Sequence, residues 1–213
     1  EVSATEARAV GVNVDFYPVV DVNNNPRNPI INIRSFGEDP ALVSEMALAY
    51  IRGIQSTGAF ATVKHFPGHG DTTIDTHLGL AVISHPRERL DKVELAPFKA
   101  AIDAGVDAVM STHIILPALD PTPGIPATLS RPILTGLLRN ELKFNGLIFT
   151  DSMSMSAISK GWTPDEAAAM AVKAGVDFVL HSPDDDLAFK GIKKAVQAGE
   201  ISLAQLDASV ERI

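Results

Sequence analysis

Fourteen residues, Lys64 to His77, read KHFPGHGDTTIDTH and hold one lysine, three histidines and two aspartates, interrupted by Pro67, Gly68 and Gly70. Three kinds of chemistry are open to such a set. His65 and His69 lie four apart with Asp71 close behind, a spacing that on a helix would set two imidazoles on one face for a metal ion. The proline and the two glycines disfavour a helix and remove that geometric support. A polar turn is the second option, because Thr72, Thr73 and Thr76 suit turn chemistry. Proton transfer is the third. Asp75 and His77, two apart in a loop, can project to one side, so that the carboxylate takes the Nδ1 proton and Nε2 faces a substrate. With an intrinsic pKa of about 6.5, such an imidazole both gives and takes a proton near neutral pH.

Asp151 closes a second informative run, GLIFTD, and is followed by SMSMSAI. A carboxylate leaving an apolar strand is a candidate nucleophile or general base, or else the N-cap of the next helix. Asp21, Lys64 with His65, His113 and His181 also end apolar runs. A polar group at the end of every strand is hard to explain by packing, although Asp21 and His181 serve equally well as turn residues.

The elements that must position these groups repeat along the chain. AGVDAVMSTH, from Ala104, echoes AGVDFVLHS, from Ala174, and both read as a helix end, a glycine turn and a short apolar strand. The same order recurs at VGVNVDFYPVVDV, STGAFATVKHF and FNGLIFTD, led by Gly11, Gly58 and Gly146, with Gly105 and Gly175 in the first two. Helical patterns fill the gaps: Pro40 to Thr57, Arg87 to Ala104, Arg131 to Lys143, Pro164 to Ala174, and about Asp185 to Ala198. Strands alternating with helices predict βα units around a parallel sheet, and the near-continuous apolar strands predict cover on both faces. No GxGxxG or GxxxxGK[ST] follows any strand, which weakens a nucleotide-binding doubly wound sheet. The (β/α)8 barrel remains, with five of its eight units present, its first three missing, and long loops after Val20, Phe66 and Ile114. The expected organisation is a single domain over residues 1–213.

Composition sets the outer limits. A net charge of −8 without a Lys/Arg cluster disfavours a nucleic-acid partner. Cysteine is absent, so thiolate chemistry is excluded and the redox compartment stays open. No apolar run approaches the roughly 20 residues that cross a bilayer, and no signal-peptide pattern opens the chain, which starts at Glu1 in what reads as the middle of a helix. The acidic stretch SPDDDLAFKGIKKAV reads as a solvated outer helix with its aspartates near the favourable end of the dipole.

Taken together, KHFPGHGDTTIDTH, FYPVVDV, RNPIINIRSFGEDP, LAPFKAAIDAGVDAVMSTHI, TLSRPILTGLLRNELKFNGLIFTDSMSM and the closing SVERI resemble, in order and over essentially the whole chain, the glycoside hydrolase family 3 β-N-acetylglucosaminidases of the NagZ type. The PGHGDT that follows the Lys-His pair favours this branch over the β-glucosidases of the same family. The resemblance implies a retaining exo-hydrolase on a (β/α)8 barrel, acting on peptidoglycan fragments or chitooligosaccharides without a cofactor. It implies Asp151 as the nucleophile, His77 held by Asp75 as the acid/base dyad, and Arg34, Lys64 and His65 as sugar-binding residues. His69 and Asp71 are left to shape the loop. A dyad departs from the usual pair of carboxylates. The family's earlier strand, with an aspartate that grips sugar hydroxyls before a DQEGG-like segment, has no match, so a second segment is expected to complete the barrel.

Other readings stay open: another family 3 β-glycosidase; metal-assisted hydrolysis through His65, His69 and Asp71; a phosphorylase, because a neutral histidine repels phosphate less than a carboxylate does; or an inactive sugar-binding fragment. Compartment is also open, since relatives of this bacterial type occur in the cytoplasm and outside it. The Lys64-His65 pair carries one structural expectation. Successive side chains of a regular strand point to opposite faces, so a sugar held by both requires distorted backbone, such as a non-prolyl cis peptide.

Overall fold

A computed structural model describes all residues, 1–213. Its frame is a parallel sheet in which β1 (Val14–Asp15), β2 (Phe60–Phe66), β4 (Ala108–Ser111) and β6 (Leu147–Phe149) lie side by side in chain order. A bridge from Phe149 to Phe178 adds a fifth parallel segment. Five successive strands, each reached through a helical crossover, form the expected portion of a (β/α)8 barrel. A short pair, β3 (Ala81–Val82) and β5 (Ile114–Ile115), ties together the loops that follow β2 and β4.

The helices follow local chemistry. Before α2 (Pro40–Gln55), Asp39 accepts from Ala41 N–H and Pro40 opens the first turn. Thr163 and Glu166 close a capping box on α6 (Pro164–Ala174), and Gly175, at φ 117°, ends it. Asp184 caps α7 (Asp185–Gln197), whose first turn carries Asp185 and Asp186. The leading glycines split into two kinds. Gly11, Gly58, Gly105 and Gly175 take positive φ, as a helix-ending turn requires. Gly146 does not, and is small for another reason: a Cβ there would lie 2.2 Å from the Asp107 carbonyl.

Two helical expectations need correction. Arg87 to Ala104 is two helices, α3 (Arg87–Lys92) and α4 (Ala96–Asp103), because Val93 leaves the helical region at φ −120° and Pro97 lacks the N–H to continue α3. The stretch expected over Arg131 to Lys143 is a π-helix, Pro132–Glu141. A short α5 (Ser156–Ser159) and a last α8 (Leu203–Arg212) complete the outer layer. The main core lies between sheet and helices, with Val63, Phe66, Phe98, Val109, Leu134, Leu138 and Ile148 buried in it. The other face of the strands packs a smaller set, Ala108, Met110, Leu147 and Phe149, against Phe16 and Phe178, with Phe149 stacked on Phe178 at 4.7 Å. No helix is long and apolar enough to cross a membrane.

Candidate active site

At the carboxyl ends of the strands, a cleft of about 100 Å³ is lined by Arg34, Lys64, His65, His69, Thr76, His77, Asp151 and Met155, with Ile30 and Ile31. A larger depression of about 430 Å³ opens at the amino ends, around Phe60, Gly105, Gly146 and Leu147. Parallel sheets carry their ligands at the carboxyl ends, and only that cleft gathers histidines with a carboxylate.

The Lys64–His65 peptide is cis, and the register with β4 shifts between Lys64 and Phe66. Both side chains line the same cleft. Asp21, fully buried two residues past Val19, which bridges to Lys64, organises this corner. It accepts from His65 Nδ1 at 2.7 Å, His69 N–H at 2.7 Å and His65 N–H at 3.2 Å. Burial works to raise the Asp21 pKa, but the charge and hydrogen bonds of His65 and His69 outweigh it and hold the carboxyl below its usual range. With Nδ1 of His65 committed to Asp21, its Nε2 faces the Arg34 guanidinium at 3.4 Å. Burial lowers the Lys64 pKa, Arg34 lowers it further, and the charges of Asp151 and Asp21 act against both.

Gly68 and Gly70 release the chain into the loop that carries Asp75 and His77. A Cβ on Gly70 would fall 1.8 Å from the Val22 carbonyl oxygen, so no other residue fits that crossing. Buried Asn28 seals it, donating to the carbonyls of His69 and Gly70 at 2.8 and 2.9 Å. The His69 ring is spanned by Thr72 Oγ1 at Nδ1 (2.9 Å) and Thr76 Oγ1 at Nε2 (3.0 Å), and burial pushes its pKa down to about 4. Asp71 turns away from the cleft to His85 Nε2 at 2.6 Å, with Arg89 at 3.8 Å. His69 is thus bonded within the loop and Asp71 at its outer base.

Asp75 and His77 form the pair their spacing suggests. Asp75 Oδ1 accepts from both the backbone N–H and Nδ1 of His77, which leaves Nε2 free. Slight burial acts to raise the Asp75 pKa, and those two bonds together with the imidazole charge lower it overall. The loop rests on the helix beyond Asp151, with Ala157 N–H donating to the Thr76 carbonyl at 3.3 Å and Lys160 Nζ to the Leu78 carbonyl at 3.2 Å. Asp151 itself accepts from Ser152 N–H at 2.8 Å.

The metal set His65, His69 and Asp71 is not assembled. Each group has a protein partner, namely Asp21, the two threonines and His85. The ligating groups that do converge are Asp71, His85 and Glu94, within 4.8 Å of one another. There Arg89 already donates to both Glu94 oxygens, at 2.7 and 2.9 Å. Sequence reasoning undervalued Asp21, read equally as a turn residue, and Thr76, read as turn chemistry. It also passed over Asn28, His85 and Met155, whose contacts depend on how three loops pack.

The sequence profile described as "Glycosyl hydrolase family 3 N terminal domain" matches residues 1–213. A curated relative, beta-hexosaminidase A of Pseudoalteromonas piscicida, is 37% identical over 98% of the chain and 38% of its own length. Among solved structures, a glycoside hydrolase family 3 beta-N-acetylglucosaminidase from a Paenibacillus strain superposes with a TM-score of 0.96 at 47% identity, covering 99% of the chain and 40% of that protein. The beta-glucoside phosphorylase BglX superposes with a TM-score of 0.94 at 33% identity, over 100% of the chain and 40% of its own. The chain thus spans about two fifths of the length of these relatives.

Proposed function

The chain belongs to glycosyl hydrolase family 3, and on that premise we propose that it supplies the reacting groups of a retaining exo-β-N-acetylglucosaminidase acting on terminal N-acetylglucosamine in peptidoglycan fragments or chitooligosaccharides. The observation that carries this reading is one cleft lined by Asp151, by His77 held by Asp75, and by Arg34, Lys64 and His65.

In the first step an Asp151 oxygen attacks the anomeric carbon, the glycosidic bond breaks, and Nε2–H of His77 gives its proton to the departing oxygen. Asp75, ionised and bonded to Nδ1, stabilises the imidazolium before transfer and keeps Nε2 aimed at the substrate. In the second step the now basic Nε2 takes a proton from water, the water oxygen attacks the anomeric carbon, and the bond to Asp151 breaks. Two displacements return the original configuration. Arg34, Lys64 and His65 hold the hydroxyls and N-acetyl region of the sugar. The other three barrel units, with their own contacts to the sugar, come from a segment outside this chain.

Asp151→Asn in the full-length protein tests the assignment: turnover of an aryl N-acetylglucosaminide should be lost, and product released by the wild type should appear first as the β-anomer in proton NMR. Retained turnover, or α-anomer first, overturns it. A phosphorylase is the second reading, favoured by a histidine in place of a second carboxylate, since an uncharged base admits an anionic acceptor. A sugar 1-phosphate formed in phosphate buffer would decide for it.

A further inference from the structure

Of the histidines at strand ends, the proposed reaction uses neither His113 nor His181, and His113 is the buried one. It lies two residues past the end of β4, is fully buried, and makes two side-chain hydrogen bonds of 2.9 Å. One runs from Nε2 to the carbonyl of Ser152, the residue after Asp151. A carbonyl only accepts, so Nε2 carries the proton. The other joins Nδ1 to the Thr128 hydroxyl, which also lies 2.9 Å from the Thr112 carbonyl and from Ser111 Oγ. Burial lowers the His113 pKa, which favours the neutral ring, with Nε2–H on the Ser152 carbonyl and Nδ1 accepting the single proton of the Thr128 hydroxyl.

Ser152 is held from every side. Its N–H donates to Asp151 Oδ1 at 2.8 Å, and its hydroxyl meets His181 Nδ1 at 2.8 Å and Ser154 Oγ at 2.8 Å. On the side of the fifth strand, Thr150 N–H donates to the Phe178 carbonyl and Met153 N–H to the Leu180 carbonyl, both at 3.0 Å. His113 is the matching tie from the β4 side. The torsions of Ser152 set where its N–H points, and that N–H is the hydrogen bond the Asp151 carboxylate accepts.

We infer that His113 is a positioning residue for Asp151: through the Ser152 carbonyl it fixes the Ser152–Met153 peptide, and through the backbone torsions of Ser152 it thereby holds the preceding peptide, whose N–H orients the attacking carboxylate. The inference rests on Asp151 being the nucleophile. Positioning should act on the glycosylation step and leave sugar binding by Arg34, Lys64 and His65 nearly untouched. In the full-length protein, His113→Leu should lower kcat for an aryl N-acetylglucosaminide by about 10²-fold with little change in KM, whereas His113→Gln, whose amide can donate to the same carbonyl, should stay within about tenfold of wild type. The pre-steady-state rate of glycosyl-enzyme formation should fall in parallel with kcat. Thr128→Val, which removes the hydroxyl holding Nδ1 at nearly constant volume, should give a smaller loss of the same kind. A folded His113→Leu protein with wild-type kcat overturns the inference. If that variant does not fold, the decision passes to Thr128→Val beside His113→Gln: a lowered kcat in the first with a retained one in the second supports it, and wild-type kcat in Thr128→Val overturns it. Asp151→Asn assayed alongside separates the two levels, since an active Asp151→Asn defeats the nucleophile assignment, whereas a dead one with unaffected His113 variants defeats only the positioning role.

Discussion

Asp75 Oδ1 accepts two hydrogen bonds from the residue two positions on, one from the backbone N–H of His77 at 2.8 Å and one from its Nδ1 at 2.7 Å. The first fixes the turn and the second fixes which ring nitrogen is free. Acid assistance matters most when the leaving group is poor. His77→Gln should therefore lower kcat/KM by about 10²–10⁴-fold for an oligosaccharide and much less for a nitrophenyl glycoside. Asp75→Ala should shift the balance in the same direction to a smaller extent. A series of aryl leaving groups reads this directly, and an unchanged dependence on leaving-group acidity would contradict the dyad.

Acid should weaken the fold through His69. Its pKa is pushed down from 6.5 to about 4, so between those values the unfolded chain holds a proton that the folded one does not. Stability then rises with pH across that window and is lost as pH falls from 6.5 towards 4, by an amount on the order of 3 kcal/mol. Asp21 adds a loss further down, because its lowered pKa stabilises the fold above the unfolded carboxyl value of about 3.9, and that contribution disappears as pH falls through the folded value. Urea unfolding from pH 7 to pH 4 measures the first effect, and His69→Gln should flatten it. A pH-independent midpoint in the wild type would refute the prediction.

Gly70→Ala tests the crossing beneath the dyad loop. The added methyl would overlap the Val22 carbonyl, and backbone cannot yield as a flexible side chain would. Destabilisation at the upper end of about 1–3 kcal/mol is expected, with activity lost because the loop is lifted. Gly79→Ala, where a Cβ meets nothing within 4 Å, is the matched control and should leave thermal stability nearly unchanged.

Asp177 should matter for stability alone. Its side chain is fully buried at the start of the fifth strand segment and accepts from Arg139, Arg212, Ser209 and Ile148 N–H. Asp177→Ala strands the largely buried Arg139 guanidinium, a change that costs about 3–5 kcal/mol. The urea midpoint should drop accordingly, while the fraction still folded keeps its kcat.

Much of this was legible in the chain because strand, turn and strand-end residue are contiguous. The five glycine-led units, the helix from Pro164 to Ala174 and the Asp75/His77 pair are all local in sequence, and local patterns can be read directly. Asp21 with His65, Asn28 with the His69 and Gly70 carbonyls, and Asp71 with His85 are separated by 14 to 44 residues. Those contacts depend on strand register and loop packing, which the pattern of residues does not encode at any single place. The break at Val93 was hidden because apolar spacing runs on across it. The last helix, Leu203–Arg212, was not expected, because the helical patterns end at about Ala198 and SVERI enters only through the resemblance.

The two groups proposed to react sit in contrasting surroundings. Asp151 follows a buried strand, whereas the His77 side chain is 56% exposed, on a loop whose flanking Thr76 and Leu78 carbonyls rest on Ala157 and Lys160. On the proposed mechanism that asymmetry governs which molecule completes the reaction. The leaving group departs past an open histidine, and the next acceptor arrives by the same path from bulk solvent, be it water, a sugar hydroxyl or phosphate. Competition among acceptors, and hence the proportion of transfer to hydrolysis products, is then set by solution composition around His77 more than by the pocket that grips the sugar.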